Sequence, residues 1–141
     1  MTKQVLDVGN CSMDHGNIKH LIETNFDASV VRAHDQKGAI DLLRNGAFDL
    51  VLVNRVFHRD RGDGLELIWR IKTDPQVSAT PAMLISDLDD FQQKAIEAGA
   101  ATGFGKKSLG SQETRQRLSP FLEAGGSVGC DSGRSADAAT K

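Results

Sequence analysis

Asn54 stands at the end of the apolar run Phe48-Asp49-Leu50-Val51-Leu52-Val53, a few residues before Asp63-Gly64-Leu65-Glu66-Leu67. A carboxylate at the carboxyl end of a buried strand could attack an electrophile or help to hold a divalent cation. An amide is no carboxylate nucleophile and is a poor ligand for Mg²⁺. The segment after Asn54 concentrates Arg55, Arg59 and Arg61. With Lys107 and Ser86 they could form an anion or phosphopeptide pocket, although a solvated loop is the simpler reading. Asp60 and Asp63 share that loop but have no metal cage around them, which makes either a poor substitute acceptor. Cys11 precedes a helical pattern, and a helix N-terminus lowers a thiol pKa; a small residue that merely fills space is the simpler account. His15 and His20 miss the i, i+4 spacing of one helix face, and His34 and His58 fall in separate loops, so no zinc site is expected. No Gly-x-Gly-x-x-Gly follows a strand pattern, so nucleotide and flavin binding have little support and no cofactor is expected. No nucleophile and base can be paired from these residues, which argues against an enzyme.

The elements that must position these residues alternate between strand and helix patterns. Val5 to Val8 reads as a first strand, and Ile18, Leu21, Ile22 and Phe26 recur at helical spacing after it. Ala28 to Ala33 reads as a second strand, followed by a helix with Asp35 as N-cap, Ala39, Leu42 and Leu43 on its apolar face, and Gly46 at its end. Leu50 to Val53 is apolar throughout, as suits a central parallel strand covered on both faces. A third helix starts near Asp63-Gly64 and stops at Asp74-Pro75; its Trp69 is expected in core or half-buried packing. Pro81 to Ser86 reads as the fourth strand, and Leu88, Phe91, Ala95 and Ala98 mark a fourth helix closed by Gly99. A short fifth strand is expected near Thr102 to Gly105, then a helix carrying Leu118, Phe121 and Leu122 in which Pro120 predicts a kink or an early end. Such alternation implies an α/β doubly wound fold with a five-stranded parallel sheet, helices on both faces and the flavodoxin-like order 2-1-3-4-5. Ligands of such sheets bind beyond the carboxyl ends of the strands, at the switch point between strands one and three. That picks out Gly9 to Ser12, Asn54 to Arg61, Ser86-Asp87 and Lys106-Lys107.

Composition narrows the function classes. The chain has 141 residues, 39% hydrophobic and 26% charged, with a net charge of −2. That is the balance of an ordinary globule, without the basic excess of a nucleic-acid binder. Its apolar runs are strand-sized, and no signal-peptide core opens the sequence, so neither membrane nor export is expected and a cytoplasmic location is. The two cysteines, Cys11 and Cys130, lie too far apart in sequence to read as a disulfide framework or a zinc motif. We read residues 1–124 as one domain and residues 125–141 as a flexible Gly/Ser-rich tail.

The strand ending in Asn54, the following Asp-Gly-Leu-Glu-Leu, Pro81 to Ser86, Glu97-Ala98-Gly99-Ala100 and Gly103-Phe104-Gly105-Lys106-Lys107 together resemble the receiver domains of bacterial response regulators. The likeness spans roughly residues 3 to 123. It implies that Asn54 stands where receivers carry the phosphoacceptor aspartate. It implies also that the acidic pair of the first strand falls on Asn10 and Cys11, or on Gly9 and Asn10 if the register slips by one, with the former favoured by Asp14-His15 downstream. Neither register gives a carboxylate, and Asp7 inside the strand would point into the core or toward a neighbour. By the same resemblance Ser86 keeps the family's hydroxyl, Lys107 its lysine (Lys106 being the second candidate), and Phe104 takes the place of the switch aromatic. Ser108 replaces the usual proline, and Asp63-Gly64 come later after Asn54 than in receivers.

The resemblance therefore implies a degenerate receiver, a stand-alone adaptor in two-component signalling that binds protein partners without phosphorylation. The fourth helix, fifth strand and fifth helix are the implied partner or homodimer surface, through Phe91, Phe104 and the stretch Gln112 to Arg117. Two other readings stay open: a receiver phosphorylated at an atypical acidic residue, and a sensor of small anions.

Overall fold

The computed structural model describes residues 2–123, so the expected tail and Cys130 lie outside the described residues. Its parallel strands are β1 (Lys3–Val8), β2 (Ala28–Ala33), β3 (Leu50–Asn54), β4 (Ala82–Ile85) and β5 (Ala101–Phe104). The helices are α1 (Ser12–Asn25), α2 (Gln36–Asn45), α3 (Gly64–Thr73), α4 (Asp89–Glu97) and α5 (Gln112–Leu122). The sheet order is β2-β1-β3-β4-β5, the flavodoxin-like order expected.

Side-chain caps set several helix starts. Asp35 accepts from Gly38 N at 2.8 Å, Asp63 from Leu65 N at 3.0 Å, and Ser111 from Thr114 N at 3.2 Å. Alternate residues of the strands feed two apolar layers. Leu6, Val8, Val51, Val53 and Leu84 meet Ala39, Leu43, Leu67, Ile68, Ile71 and Ala95 on one face. Val5, Val30, Leu50, Leu52 and Met83 meet Ile18, Ile22, Leu118 and Leu122 on the other. This is why β3 shows no polar alternation: both of its faces are covered. Pro120 sits in the last turn of α5, which runs on to Leu122; the missing N–H leaves the Gln116 carbonyl without that bond.

Three expectations change. Trp69 is 58% exposed rather than core or half-buried. The core stripe of α3 is Leu67, Ile68 and Ile71, and Trp69 lies about 100° further round from Ile68, off that stripe. Leu88 stands at the N-cap of α4 and is also exposed, not part of its buried face. Phe104 is 1% exposed, buried in the layer shared with α1 and α5 rather than on the surface. The cause is a bulge. β5 pairs Ala101 with Met83 but Phe104 with Ile85, so one extra residue on β5 turns Phe104 to that face and leaves Gly103 on the other.

Candidate functional site

The carboxyl ends of β1, β3 and β4 meet around Asn54. Its Nδ2 donates to the carbonyls of Gly9, at 3.2 Å, and Val56, at 2.8 Å. Both neighbours accept only, so the amide nitrogen must face them. The β1–β3 ladder pairs Val8 with Val53, which sets Gly9 beside Asn54.

Gly9 has φ +84°, and a Cβ there would overlap the ring of Phe57, which is 1% exposed. On its other side the ring lies against Gly62, where a Cβ would come within 2.8 Å of Cδ2. Backbone bonds hold the ring's loop in this place: His58 N donates to Gly9 O at 2.8 Å and Phe57 N to Gly62 O at 2.9 Å. The space over the Cα of Gly9 is thus filled by an apolar ring. Sequence reasoning passed over Phe57; an aromatic residue between two separated glycines was the only signal.

Asn10 and Cys11 are turned to structural work. Asn10 is 2% exposed and donates to the Asp7 carboxylate at 2.6 Å, while its Oδ1 has no partner. Asp7, buried in β1, also meets His15 Nδ1 at 2.7 Å, so it does face a neighbour and not the site. Burial raises the Asp7 carboxyl pKa, and the bonds from His15 and Asn10 and the nearby Arg32 oppose that rise. Cys11 is the N-cap residue of α1 and makes no side-chain cap. Nearby, the Asp14 carboxyl is lowered mainly by its bond to Lys106.

An open cleft of about 310 Å³ lies beside Asn54, lined by Arg55, Val56, Ile85, Ser86, Asp87, Leu88 and Lys106. Arg55 stacks over the Phe91 ring at 4.3 Å. Ser86 Oγ accepts from Leu88 N at 3.1 Å. The lysine in the cleft is Lys106, paired to Asp14 at 2.8 Å, and not Lys107. Lys107 contributes its backbone N–H to Asp87 Oδ1 at 3.2 Å. Without a proline, the turn at Lys106–Ser108 is tied by Ser108, whose Oγ donates to Gly105 O and whose carbonyl accepts from Thr114 Oγ1.

The three arginines do not converge. Arg55 lines the cleft, whereas Arg59 and Arg61 are exposed on the loop and do not line it. Arg59 lies near His34, whose pKa is lowered first by desolvation and then by Arg59 and Arg32. Asp60 accepts from Gly62 N and Asp63 caps α3, so both carboxylates serve the loop's own geometry. Among the described residues no three His, Cys, Asp or Glu side chains are grouped to hold a metal ion. The cleft can hold an anionic or polar group between Arg55, Ser86 and Lys106, but it offers no carboxylate at the end of β3.

No family model matches the chain, and neither does any curated protein. Solved structures do match its fold. A protein described as a response regulator from Chloroflexus aurantiacus J-10-fl superposes with a TM-score of 0.74 at 17% identity, covering 86% of this chain and 98% of its own. The chemotaxis response regulator CheY4 of Vibrio cholerae gives 0.67 at 18% identity, covering 84% and 99%. The Mn²⁺-bound form of response regulator Rcp1 gives 0.66 at 19% identity, covering 86% and 96%. The fold is that of a CheY-like receiver domain.

Proposed function

We propose that this chain is a pseudo-receiver, a signalling module that binds a protein partner without aspartyl phosphorylation, without a metal and without catalysis of its own. The observation that carries this reading is the state of Asn54. Its amide is committed to two carbonyl oxygens, those of Gly9 and Val56. Aspartyl phosphorylation needs a carboxylate nucleophile at that place and a cation beside it to offset the developing charge. Position 54 has no carboxylate, and Phe57 occupies the space next to Gly9. A cytoplasmic setting and a protein partner in a two-component pathway follow from the likeness to receivers. No helix among the described residues is long and apolar enough to cross a membrane, which accords with that setting.

The test is an amide NMR titration with Mg²⁺, then Mg²⁺ with beryllofluoride as a phosphoryl mimic. Resonances of Gly9, Asn54, Ser86 and Lys106 should stay in place. Saturable shifts at these residues would overturn the reading. Small-anion binding is a second reading, favoured by the one cleft that Arg55, Ser86 and Lys106 share. Inorganic phosphate in the same series would show it as saturable shifts without any need for Mg²⁺.

A further inference from the structure

Gly103 is the residue that the β5 bulge turns away from the layer of α1 and α5. A Cβ here would collide with the carbonyl of Leu84, so only glycine allows β5 to approach β4 this closely. Both of its backbone groups are taken by side chains. Its N–H donates to Gln92 Oε1 of α4 at 3.0 Å, and its carbonyl accepts from Arg117 Nη1 of α5 at 2.6 Å. Gln92 goes further: its Nε2 donates to Leu84 O at 2.9 Å and to Ser86 O at 3.0 Å. One amide thus bridges β4 and β5 across the bulge, where the regular ladder is interrupted. Arg117 is itself steadied by Glu113 at 3.0 Å on the same helix. Because β5 is the edge strand, these side chains also occupy backbone groups that an edge would otherwise expose.

We propose that Gln92, Gly103 and Arg117 form a clamp that fixes α4, β5 and α5 as one rigid face, presented in a single conformation whatever occupies the cleft. This rests on the pseudo-receiver reading and supplies its regulation: the partner-binding face is constitutive. A shift of α4 along the sheet would break three hydrogen bonds of a part-buried amide at once, and a shift of α5 would free the Gly103 carbonyl. Ser86 O is one of the clamped groups, so Gln92 also pins the cleft's edge to that face.

The experiment is hydrogen exchange and relaxation dispersion on the wild type, Gln92→Ala and Gln92→Glu, with circular dichroism to show that each is folded. In the wild type, Gly103 should be protected, and α4, β5 and α5 should show no millisecond exchange, with or without Mg²⁺ and beryllofluoride. In Gln92→Ala, exchange at Gly103 should rise about tenfold or more, with β1, β2 and β3 unchanged, because an opened bond exposes its amide. Gln92→Glu keeps an oxygen for Gly103 N–H, but at neutral pH its carboxylate cannot donate to Leu84 O and Ser86 O and is repelled by both. The side chain should therefore swing away, and Gly103 exchange should again rise. The variant should recover protection at acid pH as the carboxyl regains a proton, a rescue that a loss of packing alone would not show. Unchanged Gly103 exchange in Gln92→Ala, or dispersion across α4, β5 and α5 in the wild type, would overturn the clamp. Shifts confined to the cleft on adding beryllofluoride would sink the pseudo-receiver reading and leave the clamp standing.

Discussion

The ring of Phe57 lies where a side chain on Gly9 would have to stand. Gly9 also adopts φ +84°, so its glycine is required twice, by conformation and by space. Replacing it by alanine combines the left-handed penalty with overpacking, and Gly9→Ala should cost about 2–4 kcal/mol in urea unfolding. Phe57→Ala should cost about 3–5 kcal/mol by opening a cavity. The double variant should lose clearly less than the two costs combined, because the truncated ring no longer meets the new methyl. Simple additivity would show that the ring and Gly9 are not in the contact described.

Asn54→Asp tests the carrying observation from the opposite side. The substitution removes both donated bonds and sets a carboxylate against the carbonyls of Gly9 and Val56. Stability at neutral pH should fall by about 1–3 kcal/mol, the cost of a lost bond with an unsatisfied partner. Magnesium should not restore it, since neither Gly9 nor Asn10 brings a second carboxylate to share the cation. A variant as stable as wild type, or one rescued by Mg²⁺, would mean that the site accepts a carboxylate as receivers do.

Trp69 and Phe104 exchange the roles that the sequence suggested for them. Trp69→Ala should change stability by no more than about 0.5 kcal/mol, as for other surface positions, whereas Phe104→Ala should lose about 3–5 kcal/mol. Thermal and urea unfolding of the two variants would decide it. A large loss at Trp69 would show that it is covered in solution.

The contrast marks what was legible. The alternation of strands and helices, Asp35 as a cap, and the all-apolar β3 follow from periodicity and local chemistry, which are properties of short segments. So does the inward turn of Asp7. What was not legible depends on register between strands. A one-residue bulge in β5 turned Phe104 inward, and no local pattern announces a bulge. The placing of Gly9 beside Asn54 likewise rests on the β1–β3 pairing. Arg59 and Arg61 are neighbours of Arg55 in sequence, yet the turn around Phe57 carries them away from the cleft; Arg61 takes φ +61° to complete it.

Asp7 supplies a prediction in pH. Burial raises its carboxyl pKa above the ordinary value despite the bonds from His15 and Asn10. The folded state therefore holds this proton more tightly than the unfolded chain does, so the stabilising contribution is complete below the ordinary carboxylate range and is lost as pH rises through the raised value. Other groups titrate in the same range, among them Asp14, whose carboxyl is lowered by Lys106 and whose contribution runs the opposite way. Comparison with Asp7→Asn cancels them. The wild type should lose stability relative to Asp7→Asn as pH rises from the acid range toward neutral, measured as the difference in urea unfolding free energy at each pH. A difference that instead grows in favour of the wild type would show that the attraction of His15 and Arg32 outweighs the burial of Asp7. It would also make the pair an active brace of α1 on β1, where burial predicts a tolerated cost.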